Sequence, residues 1–471
     1  MTLPAGKTLK TILKLSLRNT KNFKKNQKNM LDVKANKCFI IWSNEIKGRF
    51  DPLFLRYQKQ KNNYKFDLVK LNDLLKTKPQ YGANEIAIDG DPNTGTRYIR
   101  ITDIDEFGNL KKASWQTAKT IEGKYLLEEN DILFARSGAT AGKSFIYKKK
   151  FGKAIFAGYL IKFKINEEKA NPKFIFYYTQ LKPYKEWIKS IQRPSGQPNI
   201  NSEEFKEIDI PLPTLKTQGE IVEIMQSAYS RKVDKEKEAE NILNSADDYI
   251  LEELEIKTTK SEDKKCFCIN FNDVVNNRLD PDFYKSKISF VKNKSKKINQ
   301  KCLMLELGKV CDIEKGTSIT KEKISEGKIP VIAGGQQPAY YNNQNNREGK
   351  TITVSASGAY SGFVNYFDFP IFASDCTTIK AKDENKLLTE FVFYILKSKQ
   401  RDIYKLQRGA GQPHVYGKEL AKITIPIPSL EIQKKLTEEI RERITQANEL
   451  KEEAKNGIEK AKQEVERIIL G

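Results

Sequence analysis

"RPSGQPNINSEEFKEIDIPLPTLKTQGEIVEI", residues 193–224, has a partner in "RGAGQPHVYGKELAKITIPIPSLEIQKKLTEEI", residues 408–440. Gly196-Gln197-Pro198 aligns with Gly411-Gln412-Pro413, Pro211 and Pro213 with Pro426 and Pro428, and Gln218 with Gln433, every pair 215 residues apart. Matches this dense on one ungapped register mark an internal duplication, so the chain should fold as two copies of one unit. Upstream the offset drifts, as loop insertions make it do. Ile155-Phe156-Ala157 pairs with Ile371-Phe372-Ala373, Phe174-x-Phe176 with Phe391-x-Phe393, and Arg49-x-Asp51-Pro52-x-Phe54 with Arg278-x-Asp280-Pro281-x-Phe283.

Each copy has the same layout. Short strands with turn signals come first, at 97–104 and 131–135 in one copy and at 329–333 and 351–354 in the other. A short helical stretch follows, at 174–181 or 391–396, then the Gly-Gln-Pro loop, a Pro-x-Pro strand end and a long helix. The second long helix carries apolar residues at Ile432, Leu436, Ile440, Ile444, Ala447, Leu450, Ala454, Ile458, Ala461, Val465 and Ile468. Steps of three and four with Glu, Lys and Arg between them are a helical stripe. The first helix runs Ile221, Ile224, Ala228 and then Ile242, Ala246, Ile250 and Leu254. Thr214 and Ser429 are placed to cap them. About forty residues at 1.5 Å each make a rod of roughly 60 Å. A stripe that narrow needs a helical partner, and the economical one is the other helix.

One stretch points elsewhere. "RSGATAGKSFIY", residues 136–147, nearly spells a phosphate-binding loop. Only three residues separate Gly138 from Gly142, whereas the loop needs four, and Phe145-Ile146-Tyr147 continues as strand instead of helix. The second copy reads SGAYSGFV: Gly358 and Gly362 are kept and the Lys143-Ser144 pair is lost. The shared element is therefore a glycine turn, where missing Cβ atoms permit tight bending or close approach.

Composition bounds the rest. At 471 residues the chain holds two or three domains, and its formal net charge of +22 favours polyanionic partners, nucleic acid first. Only fifteen of the 83 basic residues are Arg, so the Lys excess speaks for bulk phosphate attraction, or for codon bias, before base readout. The first thirty residues carry eight Lys or Arg and no acid, a basic arm. No apolar run is long enough to cross a membrane, and the six cysteines, Cys38, Cys266, Cys268, Cys302, Cys311 and Cys376, form no disulfide or zinc pattern. Reduced cysteines in a cytoplasmic protein fit better. "GDPNTG" at 90–95 is no dinucleotide turn, and the acids Asp103, Asp105 and Glu106 read as a turn around Gly108 before they read as a nuclease site. With a single His, acid–base chemistry has few candidates.

The Gly-Gln-Pro loops, the Ile-Pro-(Leu/Ile)-Pro-x-Leu-x-x-Gln lead-in to each helix and the paired Arg-x-Asp-Pro segments, taken together, resemble the specificity (S) subunit of type I restriction–modification systems over residues 40–471. The resemblance implies an α+β fold of two similar mixed target-recognition domains, each followed by a long helix, the helices pairing as an antiparallel coiled coil. The divisions expected are a basic arm at 1–38, recognition domains at 39–213 and 301–428, conserved helices at 214–256 and 429–471, and a linker with the start of the second repeat at 257–300. It further implies a non-catalytic, cytoplasmic chain in which each domain reads half of a split DNA target. The helices would set the unread spacer and dock two methyltransferase (M) subunits, with motor-nuclease (R) subunits joining for cleavage. No cofactor or metal is expected on this chain; S-adenosylmethionine, ATP and Mg would belong to the partners.

DNA contact calls for Arg, Lys, Gln, Asn and Ser on loops, because Arg and Gln pair bidentately with base edges while Lys, Ser and backbone N–H grip phosphate. The candidates are Arg97, Arg100, Arg136, Ser137 and Lys143 in the first copy and Gln336, Gln337, Tyr340, Ser355, Ser357 and Tyr360 in the second. The matched loops add Arg193, Gln197 and Asn199, and Arg408, Gln412 and His414; their likeness between copies suits shared architecture as well as readout. The stretch 97–108 has no counterpart resembling 334–346, so the two half-sites should differ. Two other readings stay open: a coiled-coil scaffold with two peptide-binding domains, and a specificity partner of a fused methyltransferase–nuclease. An enzyme of another kind, a nuclease or nucleotide hydrolase, is the remaining rival.

Overall fold

The two apolar stripes fold as the helices their spacing requires, at Leu215–Glu253 and Leu430–Ile469. The computed structural model describes residues 54, 55 and 57, then 64–93, 95–111, 115–192, 198–254, 303–320, 325–409 and 411–470. The basic arm, the 257–300 segment, the paired Arg-x-Asp-Pro segments apart from Phe54, and Arg193 and Gln197 lie outside these residues. The chain forms two units, one from residues up to 227 with 460–471, the other from 228–459. Each long helix therefore contributes to both, so the units do not coincide with a head plus its own helix.

The first unit contains, in chain order, β1 (Leu68–Lys70), β2 (Gln80–Tyr81), β3 (Ala87–Asp89), β4 (Arg97–Ile99), β5 (Gln116–Ala118), β6 (Ile132–Ala135), β7 (Ser144–Ile146), β8 (Ala154–Phe156) and β9 (Leu160–Phe163). Helices α1 (Pro172–Tyr178), α2 (Lys182–Ile191) and α3 (Ser202–Lys206), strand β10 (Asp209–Pro211) and the first turns of α4 (Leu215–Glu253) complete it. Strands β2, β9, β6 and β7 make an antiparallel sheet in that order, β1 pairs with β10, β3 with β5, and β4 runs parallel to β8. The core is aromatic: Phe134 packs edge-on against Phe163 at 5.1 Å and lies 5.0 Å from Phe205, all three fully buried.

The second unit repeats the plan. It holds β11 (Leu303–Glu306), α5 (Leu307–Val310), β12 (Cys311–Lys315), β13 (Ile329–Ile332), β14 (Tyr340–Asn342), β15 (Thr351–Ser355), β16 (Val364–Phe367), β17 (Phe372–Ala373) and β18 (Cys376–Ala381). Helices α6 (Thr389–Ser398), α7 (Gln400–Tyr404) and α8 (Gly417–Leu420), strand β19 (Thr424–Ile427) and most of α9 (Leu430–Ile469) follow. The sheet order β12-β18-β15-β16, the β11–β19 pair and the parallel β13–β17 pair reproduce the first unit strand for strand. The additions differ: an antiparallel β3–β5 pair in one, β14 in the other.

The helices run antiparallel. Within the second unit Ala246 and Ile250 of α4 share one buried cluster with Leu436 and Ile440 of α9. Lys235 pairs with Glu453, while Arg443 sits 4.0 Å over the Tyr249 ring, so rising numbers on one helix meet falling numbers on the other. Ala447, Ala454 and Ala461 recur every seven residues on the buried face, and Ile469, not Ile468, ends the stripe. Within the first unit the end of α9 is held by Lys65 N–H donating to the Ile469 carbonyl (3.0 Å) and Lys182 N–H to the Glu466 carboxylate (2.7 Å).

Two local expectations change, and the acidic stretch folds as the turn expected. The strand expected at 97–104 stops at Ile99, because Arg100 N–H and guanidinium both bond Asp103 and close a 3-10 turn over Ile101–Asp103. Helix α2 was not expected; Pro183 in its first turn and Tyr184, Trp187, Ile188 and Ile191 on its buried face carried the signal. Asp105 accepts from the N–H groups of Phe107 and Asn109, both at 2.8 Å, so this acid of the stretch closes a turn. Burial pushes the Cys311 and Cys376 thiols up to about 12, which keeps both protonated and inert.

Candidate nucleic-acid interface

Each unit joins its glycine turn to its Gly-Gln-Pro loop through the same backbone bonds. In the first, Gly138 N–H donates to the Pro198 carbonyl (2.9 Å) and Ile200 N–H to the Arg136 carbonyl (2.7 Å). In the second, Gly358 N–H donates to Pro413 (3.0 Å) and Val415 N–H to Ala356 (3.0 Å). Gly142 and Gly362 close the turns onto Ala135 and Ser355, with φ of 89° and 88°. These N–H groups are spent on the chain itself, which removes the cradle a phosphate loop would need. The Lys-Ser of the near-motif is likewise internal: Lys143 Nζ donates to the Ile104 carbonyl at 3.0 Å, burial lowers its pKa, and Ser144 is buried beside Thr179.

Alanine at Gly142 would need positive φ and would meet Ile188 at 2.5 Å, whereas at Gly362 the nearest atom is 3.3 Å away. Gly142→Ala should therefore cost about 2–3 kcal/mol and Gly362→Ala about 1 kcal/mol. Urea titration of the two variants tests this; equal costs would show that the clash does not matter.

The candidates separate by what already holds them. Arg100 is committed to Asp103, which raises its pKa and fixes its fork at 2.8 Å. Arg97 donates to the Lys111 carbonyl at 3.2 Å, and burial lowers its pKa. Ser355 departs from expectation: it is 4% exposed inside β15, beneath any surface contact. Arg408 is paired with Glu419, Ser357 with Asp375. Arg136 lies 5.0 Å over the Tyr81 ring and its Nε donates to Asn199 at 3.4 Å, so these two candidates are brought together, with Ser137 bridging to Asn199.

In the second unit Gln336, Gln337 and Gln412 are exposed, and Tyr340 and Tyr360 stand out with Tyr341 and Tyr416, which sequence reasoning missed. His414 stacks on Tyr416, centroids 6.1 Å apart. Beside them opens a cavity of about 420 Å³ lined by Lys315, Ala356, Asp375, His414, Tyr416 and Lys418 among others. Exposed aromatics interleaved with amides and cations offer stacking faces, hydrogen bonds and charge together, the mixture nucleic acid takes. Among the described residues no cluster of His, Cys, Asp or Glu could hold a metal ion, and no helix is long and apolar enough to cross a membrane.

A family model described as the type I restriction modification DNA specificity domain matches residues 63–245 and again 299–460. The chain is 24% identical over 433 residues, 86% of its length and 92% of the other's, to the type I restriction enzyme MjaVIII specificity subunit of Methanocaldococcus jannaschii. It is 27% identical to the MjaX specificity subunit of the same organism, over 74% of this chain and 79% of that one. A chain solved in work on complex assembly and conformational transition of the type I R-M system matches 86% of this chain and 96% of its own, with TM-score 0.50 and 15% identity, a likeness of fold.

Proposed function

The chain belongs to the type I restriction–modification DNA specificity family, and from that premise we propose that it is the specificity subunit that reads a split, asymmetric DNA target. The observation that carries this reading is the doubled loop pair: one backbone arrangement, built twice, bearing different side chains. A common scaffold with unlike surfaces is what two unlike half-sites require. Its net charge of +22 supplies the phosphate attraction that holds a duplex while bases are read.

On this reading the chain performs no chemistry. The paired helices are assigned the unread spacer and the docking of two methyltransferase subunits, with motor-nuclease subunits joining for cleavage. S-adenosylmethionine, ATP and Mg belong to those partners, and the assembly works in the cytoplasm. The exposed Gln336, Gln337, Tyr340, Tyr360 and Gln412 are assigned to the second half-site, and Arg136, Ser137 and Asn199 to the first, with Arg193 and Gln197 proposed beside them from the sequence alone.

Co-expression with the methyltransferase subunit of its own system, followed by mapping of methylated adenines, should return two different half-sites at fixed separation. Binding of the complex to random duplex should fall steeply with salt. Identical half-sites would contradict the asymmetry, and salt-independent binding would favour a protein-binding scaffold.

A further inference from the structure

The strand registers allow the two units to be compared position by position. Ala135 faces Leu160 and Tyr81 faces Ile161 in the first sheet; Ser355 faces Cys376 and Lys315 faces Thr377 in the second. The residues that follow, Arg136 and Ala356, therefore occupy the same place on the same loop. Tyr81 then corresponds to Lys315, Tyr159 to Asp375, and Asn199 to His414, the last pair fixed by matching bridges to Ser137 and Ser357. The backbone is shared and the chemistry is not. Where the first unit holds an arginine, the second holds a methyl group beside an open cavity of about 420 Å³.

Arg136 is also the best-prepared fork among the described residues of its unit. Its guanidinium lies over the Tyr81 ring, and the Tyr81 hydroxyl is itself fixed, accepting from Ser202 N–H at 3.1 Å. Its Nε is directed to Asn199 at 3.4 Å. The two terminal nitrogens have no partner among the described residues. A guanidinium held over a ring with Nε engaged leaves its end-on pair of N–H donors available and has less rotamer freedom to lose. Two parallel donors match the O6 and N7 acceptors of guanine in the major groove. Arg97 and Arg100 lack this availability, since both are bonded within the 97–111 turn region.

We propose that Arg136 reads a guanine in the half-site of the first unit, that Tyr81 and Asn199 position it, and that the second unit makes no such reading at the matching place. This rests on the DNA-reading function above. Ala356 cannot donate to a base, and Lys315 and His414 replace the ring and the amide that hold the fork, so the two half-sites differ at this base pair by construction.

The test uses the full chain in complex with its methyltransferase, and duplexes carrying the mapped target with each base pair replaced in turn. The wild-type complex should discriminate about 10- to 100-fold at one G·C pair of one half-site through this contact. Arg136→Ala and Arg136→Lys should each abolish that discrimination while leaving every position of the other half-site read as before, which also certifies folding. Asn199→Ala should weaken discrimination at the same base pair and nowhere else. Arg136→Lys keeps the charge and the stem, so it serves if the alanine variant does not assemble. Uniform weakening at all positions in Arg136→Lys would mean a phosphate contact and overturn the assignment, as would unchanged discrimination. A wild-type complex that selects no split target would overturn the functional reading and this one with it.

Discussion

Gln433→Leu should destabilise the second unit by about 3 kcal/mol, although the substitution keeps side-chain size and removes no apolar contact. Gln433 is fully buried at the start of α9. Its Oε1 accepts the Leu388 N–H at 2.9 Å, and its Nε2 donates to the carbonyls of Lys386 and Pro428, both at 2.9 Å. Leucine would take the partner from three backbone groups, one of them in a buried bond and two in part-buried ones, and each orphan costs about 1–3 kcal/mol where water cannot replace the bond. Gln218 does the same work in the first unit, accepting from Asn171 N–H at 2.7 Å and donating to Pro213 at 2.8 Å, so Gln218→Leu should cost slightly less. The two variants can be told apart in one experiment. All three tryptophans, Trp42, Trp115 and Trp187, precede residue 228. In urea, Gln218→Leu should shift the tryptophan fluorescence transition, and Gln433→Leu should shift mainly the far-UV circular dichroism. A cost below 1 kcal/mol in both would show that these glutamines are incidental to the fold.

Ile440→Asp should have the largest effect of all, about 4 kcal/mol or more, and should abolish target-specific methylation. Ile440 is 2% exposed in a cluster that joins α9 to Ala246 and Ile250 of α4 and to the sheet of the second unit. A carboxylate there would be cut off from water among apolar side chains. The magnitude of two companion changes makes the argument specific. Ile440→Val removes one methylene and should cost about 1 kcal/mol. Lys235→Ala breaks the ion pair to Glu453, but both side chains are substantially exposed, so the loss should stay below about 1 kcal/mol. If Lys235→Ala proved as damaging as Ile440→Asp, the helices would be held by their charges, and the apolar seam would be the wrong account.

The matched glutamines at the helix starts show why some of this was legible and some was not. Matching Gln218 to Gln433 needed only the register of the duplication, yet the match alone did not say whether the residue faces DNA or the interior. That depended on Asn171 and Leu388, each about 45 residues away in sequence. Arg100, expected within the strand at 97–104, and Arg136 are alike in sequence as candidate arginines; one is consumed by Asp103 and the other lies over the Tyr81 ring. The near phosphate loop was set aside correctly by its spacing, but only the bonds from Gly138 to Pro198 and from Lys143 to Ile104 explain what the turn does instead. Helix α2 was overlooked because ten residues with a Pro at the start read as loop unless the spacing of Tyr184, Trp187, Ile188 and Ile191 is weighed against it.

Two things about this protein were determined by the amino-acid order alone: that it is one unit built twice, and that each copy ends in a rod with a single apolar seam. Both are repeats, of 215 residues and of three to four, and a repeat is visible in one dimension. Which polar side chains face outward was decided only by the tertiary structure, because a hydrogen-bonding group takes whichever partner the folded chain brings within about 3 Å. The partners that occupy Lys143 and Gln433, and the ring that leaves Arg136 poised, arrive from tens of residues away.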